Sequence, residues 1–284
     1  MKQVVDLAIP IITFLLLTAV GLGLTADDFA RVRRTPRLLA IGLLAPLLVL
    51  PLVAFVLILW FRPDPATEAG LLLIAACPIG GISNTYSFLA RASTALSVTL
   101  TGLSSLLAVA TIPLLTRIFE HLLRRPLSFD APASLLVLQL LLMLALPVGV
   151  GMAARRRWPD VADTHGPLFA RLGFGALALL VVFVIVAQLD LFLAGLRSAV
   201  PMSAAFVTIA FTVGWLFARA ARAPRADRFT LAAEFATRNV AVATAIAVTI
   251  LGRVEFAVFA TTYFLTELPL MLAAVAVHRA RAAL

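Results

Sequence analysis

Charged residues, cysteine and histidine are all scarce in this 284-residue sequence. Asp, Glu, Lys and Arg make up only 13% of it, against about 25% in soluble domains, which excludes an ordinary soluble globular fold. The single cysteine, Cys77, excludes an intrachain disulfide and leaves the redox compartment undetermined. His121, His165 and His278 fall in predicted loops or at a span end, so the nucleophile–base arrangement of an intramembrane enzyme is not expected.

Apolar residues dominate instead. They make up 62% of the chain, and the mean hydropathy is +1.07, which places the protein in the membrane class. The net charge of +9 is also compatible with nucleic-acid binding. However, the basic residues form short clusters between apolar runs, a pattern typical of cytoplasmic loops that face anionic lipid. A lipid bilayer is therefore the expected partner, and nucleic acid is not.

Runs of about 20 apolar residues predict about nine membrane-spanning helices. An all-α fold is required because backbone polar groups in lipid must be satisfied within the segment. No linker or soluble domain interrupts the runs, so residues 1–284 are predicted to form a single integral membrane domain. The first run lacks a clear cleavage site and is interpreted as a membrane helix rather than a signal peptide. The predicted spans are 4–24, 37–61, 68–91, 94–116, 132–153, 168–192, 198–219, 228–252 and 255–277.

Lys and Arg are distributed unequally between alternate predicted loops. With the N-terminus outside, fifteen of the 23 basic residues fall on the cytoplasmic side, seven fall outside, and Arg238 lies within a span. Because Lys and Arg accumulate in cytoplasmic loops, this distribution predicts an outside N-terminus and a cytoplasmic C-terminus. The segment 117–131, with three arginines on the outside, fits this orientation least well.

Two predicted spans contain interruptions. In 68–91, Pro78 removes a helical donor, Gly80 and Gly81 disfavour helix, and Ser83-Asn84 is predicted to cap a restarted helix. Span 228–252 carries the polar hexapeptide 234–239, which reads Glu-Phe-Ala-Thr-Arg-Asn. Paired interrupted helices indicate a transporter site, where half-helix N-termini face an anion and unwound carbonyls bind Na⁺. The alternative is a Pro/Gly kink without a site.

Three motifs resemble the bile acid:sodium symporter family. Residues 77–84 read Cys-Pro-Ile-Gly-Gly-Ile-Ser-Asn, and 95–101 read Ala-Leu-Ser-Val-Thr-Leu-Thr. They are similar to the family's C-P-G-G-x-x-S-N and A-L-S-V-x-x-T, and 234–239 is similar to its E-x-x-x-Q-N. Residues 21–37 also resemble its early G-L-x-L…D-F…P-K segment. The resemblance covers nearly the whole chain. It implies a nine-helix, inverted-repeat transporter with a panel domain, a core domain and two broken crossing helices (about 68–91 and 228–252).

The resemblance also implies a Na⁺ site, with Na⁺ as the coupling ion. A hard cation prefers oxygen ligands, and Ser97 and Thr101 share one helix face. The alternative for each hydroxyl is a bond to the backbone carbonyl one turn earlier. The implied Na⁺ ligands are Ser83, Asn84, Ser97, Thr101 and Glu234.

The family's second Na⁺ site does not carry over. Its ligand positions hold Pro46 and Arg238, and a guanidinium has no acceptor lone pair with which to ligate Na⁺. Arg238 is therefore predicted to stand in the place of the second cation. Glu234 and Arg238 are also spaced for an i,i+4 ion pair if the segment is helical there.

Substrate contacts are expected around the two interruptions and on the last span. Gly81 replaces a family threonine, and Thr266-Glu267 stands where the family has a polar pair near its ligand. Glu267 has three candidate roles: pairing with Arg238, lining the cavity or taking up a proton. It is alternatively a residue that reaches toward the membrane surface. The expected substrate-binding residues are Gly81, Ile82, Ser83, Arg238, Asn239, Thr266 and Glu267.

The favoured function is Na⁺-coupled symport of an organic anion, either bile-acid-like or a small carboxylate, in a bacterial inner membrane. One alternative is a proton-coupled or uncoupled transporter of the same fold that uses Glu234 or Glu267. A second alternative is a non-transporting membrane receptor. The residues indicate neither the particular anion nor the transport direction nor an oligomeric state.

Overall fold

Helices form nearly all of the part of the chain that the structure describes. The computed structural model describes residues 2–25, 36–123 and 133–283. Asp28-Phe29 of the early motif, and five of the arginines used for orientation, lie outside these residues. The helices are α1 (Lys2–Gly23), α2 (Pro36–Phe61), α3 (Pro65–Ala76), α4 (Ile82–Leu89), α5 (Thr94–Leu123), α6 (Ala133–Leu140), α7 (Leu146–Arg157), α8 (Pro159–Ala187), α9 (Leu189–Ala220), α10 (Arg225–Ala236), α11 (Val240–Ala245) and α12 (Val254–Ala283). A π-helical turn, Leu141–Ala145, joins α6 to α7, and another, Ile246–Ile250, extends α11.

Six of the described helices are long and apolar enough to cross a membrane. They are Pro36–Phe61, Thr94–Leu122, Val137–Arg157, Pro159–Val186, Leu189–Ala220 and Val254–Arg281. Three shorter apolar helices, Ile9–Gly23, Pro65–Ala76 and Val240–Ile250, accompany them. Their outer faces carry exposed apolar side chains such as Leu48, Trp60 and Leu179, as lipid contact requires. The all-α membrane class is confirmed, and the count of nine spans remains a prediction. His165 lies within α8 rather than in a loop, because α8 begins at Pro159.

The third predicted span consists of two helices separated by residues 77–81. Cys77 has extended backbone (φ −66°, ψ 153°), the conformation that a following proline imposes. Thr237 and Asn239 are extended in the same way between α10 and α11, although that break contains neither proline nor glycine. An antiparallel bridge between Ile79 and Arg238 joins the two breaks.

Backbone hydrogen bonds close this junction. Gly80 N–H donates to the Thr237 carbonyl at 3.2 Å, and Asn239 N–H donates to the Pro78 carbonyl at 2.9 Å. A membrane interior offers no water to satisfy backbone groups released by a broken helix. Each break therefore supplies the partners that the other lacks.

The prediction that Ser83-Asn84 caps a restarted helix is wrong. Helix α4 begins at Ile82 after Gly81, and no side chain caps it, so Ser83 and Asn84 lie within its first turn. Their side chains bond across to α5, which provides partners that a cap would not. Asn239, by contrast, does cap α11, because its Oδ1 accepts from Val242 N–H at 3.1 Å.

The helices pack in two groups. Helix α1 lies most extensively against α7 and α8, and a Cβ added at Gly21 or Gly151 would collide with the backbone of the facing helix. Helix α9 lies against α10 and α12, and α2, α3 and α5 complete this second group. The junction of the two breaks belongs to the second group and faces α1.

Substitution of Gly80 tests the junction between the two breaks. A Cβ at Gly80 would lie 2.6 Å from the Arg238 carbonyl oxygen, whereas one at Gly81 would meet only the Val20 side chain at 3.7 Å. Gly80→Ala should therefore force the breaks apart and lower stability by about 1–3 kcal/mol. Gly81→Ala is the matched control and should be nearly neutral. Thermal unfolding of the purified variants measures both, and equal stability of the two variants would contradict the junction described here.

Asp64 caps α3 and ties it to α9. Its Oδ1 accepts from Ala66 and Thr67 N–H at 3.0 Å each, and its Oδ2 accepts from the Thr67 and Ser198 hydroxyls at 2.7 and 2.9 Å. Burial raises the pKa of Asp64, but these hydrogen bonds outweigh it and hold the pKa below its ordinary value. The ionised carboxylate therefore stabilises the folded state.

This capping contribution should depend on pH. It is fully present above the unfolded-state pKa of about 3.9 and is lost as the pH falls through the lower folded-state pKa. Asp64→Asn should cost about 1 kcal/mol near neutral pH, because the amide NH₂ cannot accept from the Thr67 and Ser198 hydroxyls as Oδ2 does. The difference from the parent should shrink in acid. Thermal unfolding from neutral pH to about pH 3 measures this, and a difference that stays constant over that range would exclude the carboxylate as the source.

Candidate functional site

Five polar residues from three helices meet in one cluster beside the junction, and all of them except the half-buried Asn84 are buried. Ser83 and Asn84 come from α4, Ser97 and Thr101 from α5, and Glu234 from the last turn of α10. Ser83 Oγ lies 3.4 Å from both Ser97 Oγ and Thr101 Oγ1. The structure therefore brings together all five residues that the family resemblance implied as Na⁺ ligands.

The cluster contains more acceptors than donors. Ser97 Oγ lies 2.8 Å from Asn84 Oδ1 and also contacts Glu234 Oε1 at short range. Thr101 Oγ1 lies 3.3 Å from Asn84 Oδ1 and 3.5 Å from Glu234 Oε2. Each hydroxyl has one hydrogen to donate, whereas the carboxylate and amide oxygens each have two lone pairs. The three hydroxyls cannot saturate these oxygens, so the cluster is electron-rich and suited to a cation.

Bonding to the carbonyl one turn earlier does not account for Ser97 and Thr101. Neighbouring hydroxyls on α5 do bond within their own helix: Thr99 donates to the Ala95 carbonyl, and Ser105 donates to the Thr101 carbonyl. Ser97 and Thr101 bond instead across to α4 and α10. These two hydroxyls therefore serve the cluster rather than their own helix.

Arg238 is buried, and its guanidinium is held by backbone carbonyls. Nη2 donates to the Cys77 carbonyl at short range, and Nη1 donates to the Glu234 carbonyl at 3.5 Å. Both carbonyls lie where α3 and α10 end. The anticipated i,i+4 ion pair does not form, because α10 ends at Ala236 before Arg238 is reached. Pro46 lines a small cavity beside Cys77 and Arg238, so the two family-divergent positions meet there.

A cavity of about 290 Å³ opens on the other face of the junction. Its polar end is formed by the two breaks and the starts of α4 and α11. Its opposite wall is apolar and comes from α1 and α8, with Phe88 and Phe264 contributing from α4 and α12. Asn84 lines this cavity and also belongs to the cluster, so it connects the two. The polar-end residues are Gly80, Gly81, Ile82, Arg238 and Asn239.

Only some of the expected substrate-binding residues line the cavity. Gly81, Ile82, Arg238 and Asn239 line the cavity, whereas Ser83 lies behind it in the cluster. Thr266 donates to the Thr262 carbonyl of its own helix at 2.8 Å. Glu267 is fully buried away from the cavity lining, which rules out the interpretation that it reaches toward the membrane surface.

Sequence reasoning missed the apolar wall. Leu16 and Val20 of α1 and Phe174 and Leu177 of α8 form this wall together. In a chain that is 62% hydrophobic, apolar residues at helical spacing carry no distinguishing signal.

No group of three or more His, Cys, Asp or Glu side chains that could hold a metal ion occurs within residues 2–25, 36–123 and 133–283. The described cluster, with one carboxylate and neutral oxygens, fits a hard monovalent ion better than a transition metal.

Comparison with known proteins identifies the family. A model of the Sodium Bile acid symporter family matches residues 10–194, more than half of the chain. The chain belongs to this family. The resemblance read from the motifs is thereby confirmed, and this family member is an integral membrane protein.

Relatives of the family come from bacteria, plants and animals. The chain is 30% identical over 240 residues to human "Sodium/bile acid cotransporter 4", covering 82% of this chain and 54% of that protein. It is 30% identical over 227 residues to Arabidopsis thaliana "Probable sodium/metabolite cotransporter BASS1, chloroplastic", covering 79% and 55%. Over 105 residues it is 40% identical to Bacillus subtilis "Uncharacterized sodium-dependent transporter YocS", covering 37% and 33%. The chain spans about half the length, or less, of these curated relatives, and none of them is named as an enzyme.

Ser97 should matter more to stability than its neighbours on α5. Ser97→Ala removes a donor from the buried Glu234 and Asn84 oxygens, which should cost about 1–3 kcal/mol in Na⁺-free buffer. Ser105→Ala is a matched control, because this buried hydroxyl bonds only within its own helix and should cost about 1 kcal/mol or less. Thermal unfolding of both variants makes the comparison, and equal losses would argue against the cross-helix network.

Proposed function

We propose that this protein is a secondary transporter that carries an organic anion together with one Na⁺. The observation that carries the proposal is an acceptor-rich cluster, buried in the second helix group, that shares Asn84 with the cavity. An ion held at the cluster would fix the Asn84 amide, and the amide faces whatever occupies the cavity. Binding of the two solutes would thereby be coupled.

The spacing of the oxygens supports a Na⁺ site formed by Ser83, Asn84, Ser97, Thr101 and Glu234. Ligand oxygens that lie roughly 2.4 Å from a hard cation are about 3.4 Å from their neighbours in octahedral geometry. Four oxygen pairs of the cluster lie 3.3–3.5 Å apart. Only Ser97 approaches Asn84 and Glu234 more closely, so its hydroxyl would move outward when the ion binds.

Arg238 supports a stoichiometry of one Na⁺. Its guanidinium occupies the Cys77 and Glu234 carbonyl oxygens, which are the kind of ligand that a second Na⁺ would need. The charge of Arg238 is permanent and its side chain is buried, so it acts as a built-in cation at that position.

The cavity favours an anion with an apolar body. The first N–H groups of a helix have no partner within the helix and carry partial positive charge. Both α4 and α11 begin at the polar end of the cavity, and an anionic head group can bind there beside Asn239. The apolar wall of α1 and α8 would hold the rest of the molecule. Bile-acid-like anions and small carboxylates both fit this description. Two guanidinium N–H groups of Arg238 donate to carbonyls, and its positive charge would act on the anion electrostatically.

Alternating access would come from relative movement of the two helix groups. The group of α1, α7 and α8 corresponds to the panel domain, and the second group corresponds to the core domain with its crossed broken helices. The cavity lies between them, so a rocking motion would expose it to one side and then the other. In this proposal residues 1–284 form one inverted-repeat unit in the bilayer, with the N-terminus outside and the C-terminus in the cytoplasm.

Uptake of organic anions into proteoliposomes tests this function. Uptake should require Na⁺ and follow a Hill coefficient near one for Na⁺, because the five-residue cluster is the proposed single site. Glu234→Gln should weaken apparent Na⁺ affinity at least tenfold, since it removes the only carboxylate of that cluster.

Glu255→Gln provides the matched control for this experiment. Glu255 pairs with Arg253 at the start of α12, away from the cluster, so Na⁺ dependence should be retained. A Hill coefficient near two would contradict the substitution of Arg238 for a cation. Uptake that is indifferent to Na⁺ would reject symport altogether.

A further inference from the structure

Glu267 is a second carboxylate in the protein interior, and the proposed Na⁺ cluster does not use it. It lies in the middle of α12, its side chain is fully buried, and neither carboxylate oxygen has a hydrogen-bond partner among the described residues. An ionised carboxylate at this depth is costly unless it is paired, protonated or bound to a cation. The groups around Glu267 therefore determine which of these three states it adopts.

Three other buried polar atoms close to Glu267 are also unsatisfied. The hydroxyls of Tyr86 and Thr237 are directed at the carboxylate, yet neither closes a hydrogen bond to it. Nε of Arg238 likewise has no partner within the described chain, and this guanidinium interacts electrostatically with Glu267. Four groups without a hydrogen-bond partner, from α4, the second break and α12, thus lie close together in the described chain.

This neighbourhood favours a proton over a second metal ion. The titratable or charged groups that face Glu267 are Tyr86 from α4, Arg238 from the second break and Tyr263 one turn earlier on α12. Arg238 would repel a cation placed beside it, while it stabilises the carboxylate once a proton has left. Tyr86 and Thr237 can each donate to the ionised form or accept from the protonated one.

Charge counting links this site to the Na⁺ cluster. Arg238 is bonded to the Glu234 carbonyl and interacts with the Glu267 carboxylate, so one fixed positive charge lies near two carboxylates. With no Na⁺ bound, the interior is neutral if Glu234 is ionised and Glu267 is protonated. With Na⁺ bound at Glu234, the interior is neutral if Glu267 is ionised. One Na⁺ entering and one proton leaving keeps the charge constant.

We propose that Glu267, with Tyr86 and Thr237, is a proton-binding site whose proton is released when Na⁺ binds at the Glu234 cluster. The proton passes from the Glu267 carboxyl to solvent, and no bond other than O–H is broken. The linkage rests on the proposed Na⁺ site, whereas the proton site itself does not. Arg238 makes the two sites interdependent, because its single charge can balance only one carboxylate.

Infrared difference spectroscopy of the purified protein tests the proton site directly. In Na⁺-free buffer, the carbonyl stretch of a protonated carboxylic acid should titrate between about pH 5 and pH 9. This band should be absent from Glu267→Gln, shifted in Tyr86→Phe and Glu267→Asp, and unchanged in the control Glu255→Gln. In Glu234→Gln it should titrate at lower pH, because Arg238 then has only the Glu267 carboxylate to balance. Absence of any Glu267-dependent band over this range would overturn the proposal.

Addition of Na⁺ at fixed pH then tests the linkage. The Glu267 band should disappear at saturating Na⁺, and the apparent Na⁺ dissociation constant should rise roughly tenfold per pH unit as the medium is acidified. Thermal stabilisation by Na⁺ reports ion binding independently. If Na⁺ stabilises the protein but leaves the band unchanged, or if Glu267→Gln keeps the same pH slope, the linkage fails while the proposed symport stands. If Na⁺ does not bind at all, the proposed symport and the linkage fail together, and the titration in Na⁺-free buffer still decides the proton site.

Discussion

The backbone pairing between the two helix breaks is the constraint on which the rest of this structure depends. A single broken helix in a bilayer would leave peptide groups unsatisfied, at a cost of several kcal/mol each. Here the stretch around Ile79 and the stretch around Arg238 bond to each other instead. That pairing sets α4 beside α10, which brings Ser83 and Asn84 to Glu234. The polar cluster is therefore a geometric consequence of satisfying the backbone.

The same junction also stabilises the buried charge of Arg238. The Arg238 guanidinium spans the end of α3 and the end of α10, and it donates to a carbonyl on each. A planar guanidinium carries five donors in a fixed arrangement, so it can tie two chain segments together in a way that a lysine ammonium cannot match. Arg238 is thus both an electrostatic element and a structural clamp. Arg238 lines both the main cavity and the small cavity beside Pro46.

Much of this arrangement could be predicted from sequence, and the errors have physical causes. The break at Pro78 could be predicted, because proline lacks a backbone N–H and its ring disrupts a helix in any context. The break at Thr237 contains neither proline nor glycine. The polar hexapeptide 234–239 indicated its position, and the extended backbone there pairs with a distant segment. Ser83 and Asn84 were expected as caps, but tertiary partners on α5 outweighed the local preference. The expected Glu234–Arg238 ion pair required a helix that continues through Arg238. Helix α10 ends at Ala236, two residues before it. The surroundings of Glu267 depend on three separate elements, and no spacing rule brings these together.

The apolar wall of the cavity is encoded far from the polar motifs. Leu16 and Val20 lie near the start of the chain and Leu177 lies in its middle, whereas the junction and cluster are built by the stretches 77–101 and 234–239. Replacing a wall residue would reshape the cavity without touching a hydrogen bond of the junction. Substitutions on α1 and α8 can therefore change which molecules fit the cavity while the hydrogen bonds between the paired breaks stay the same.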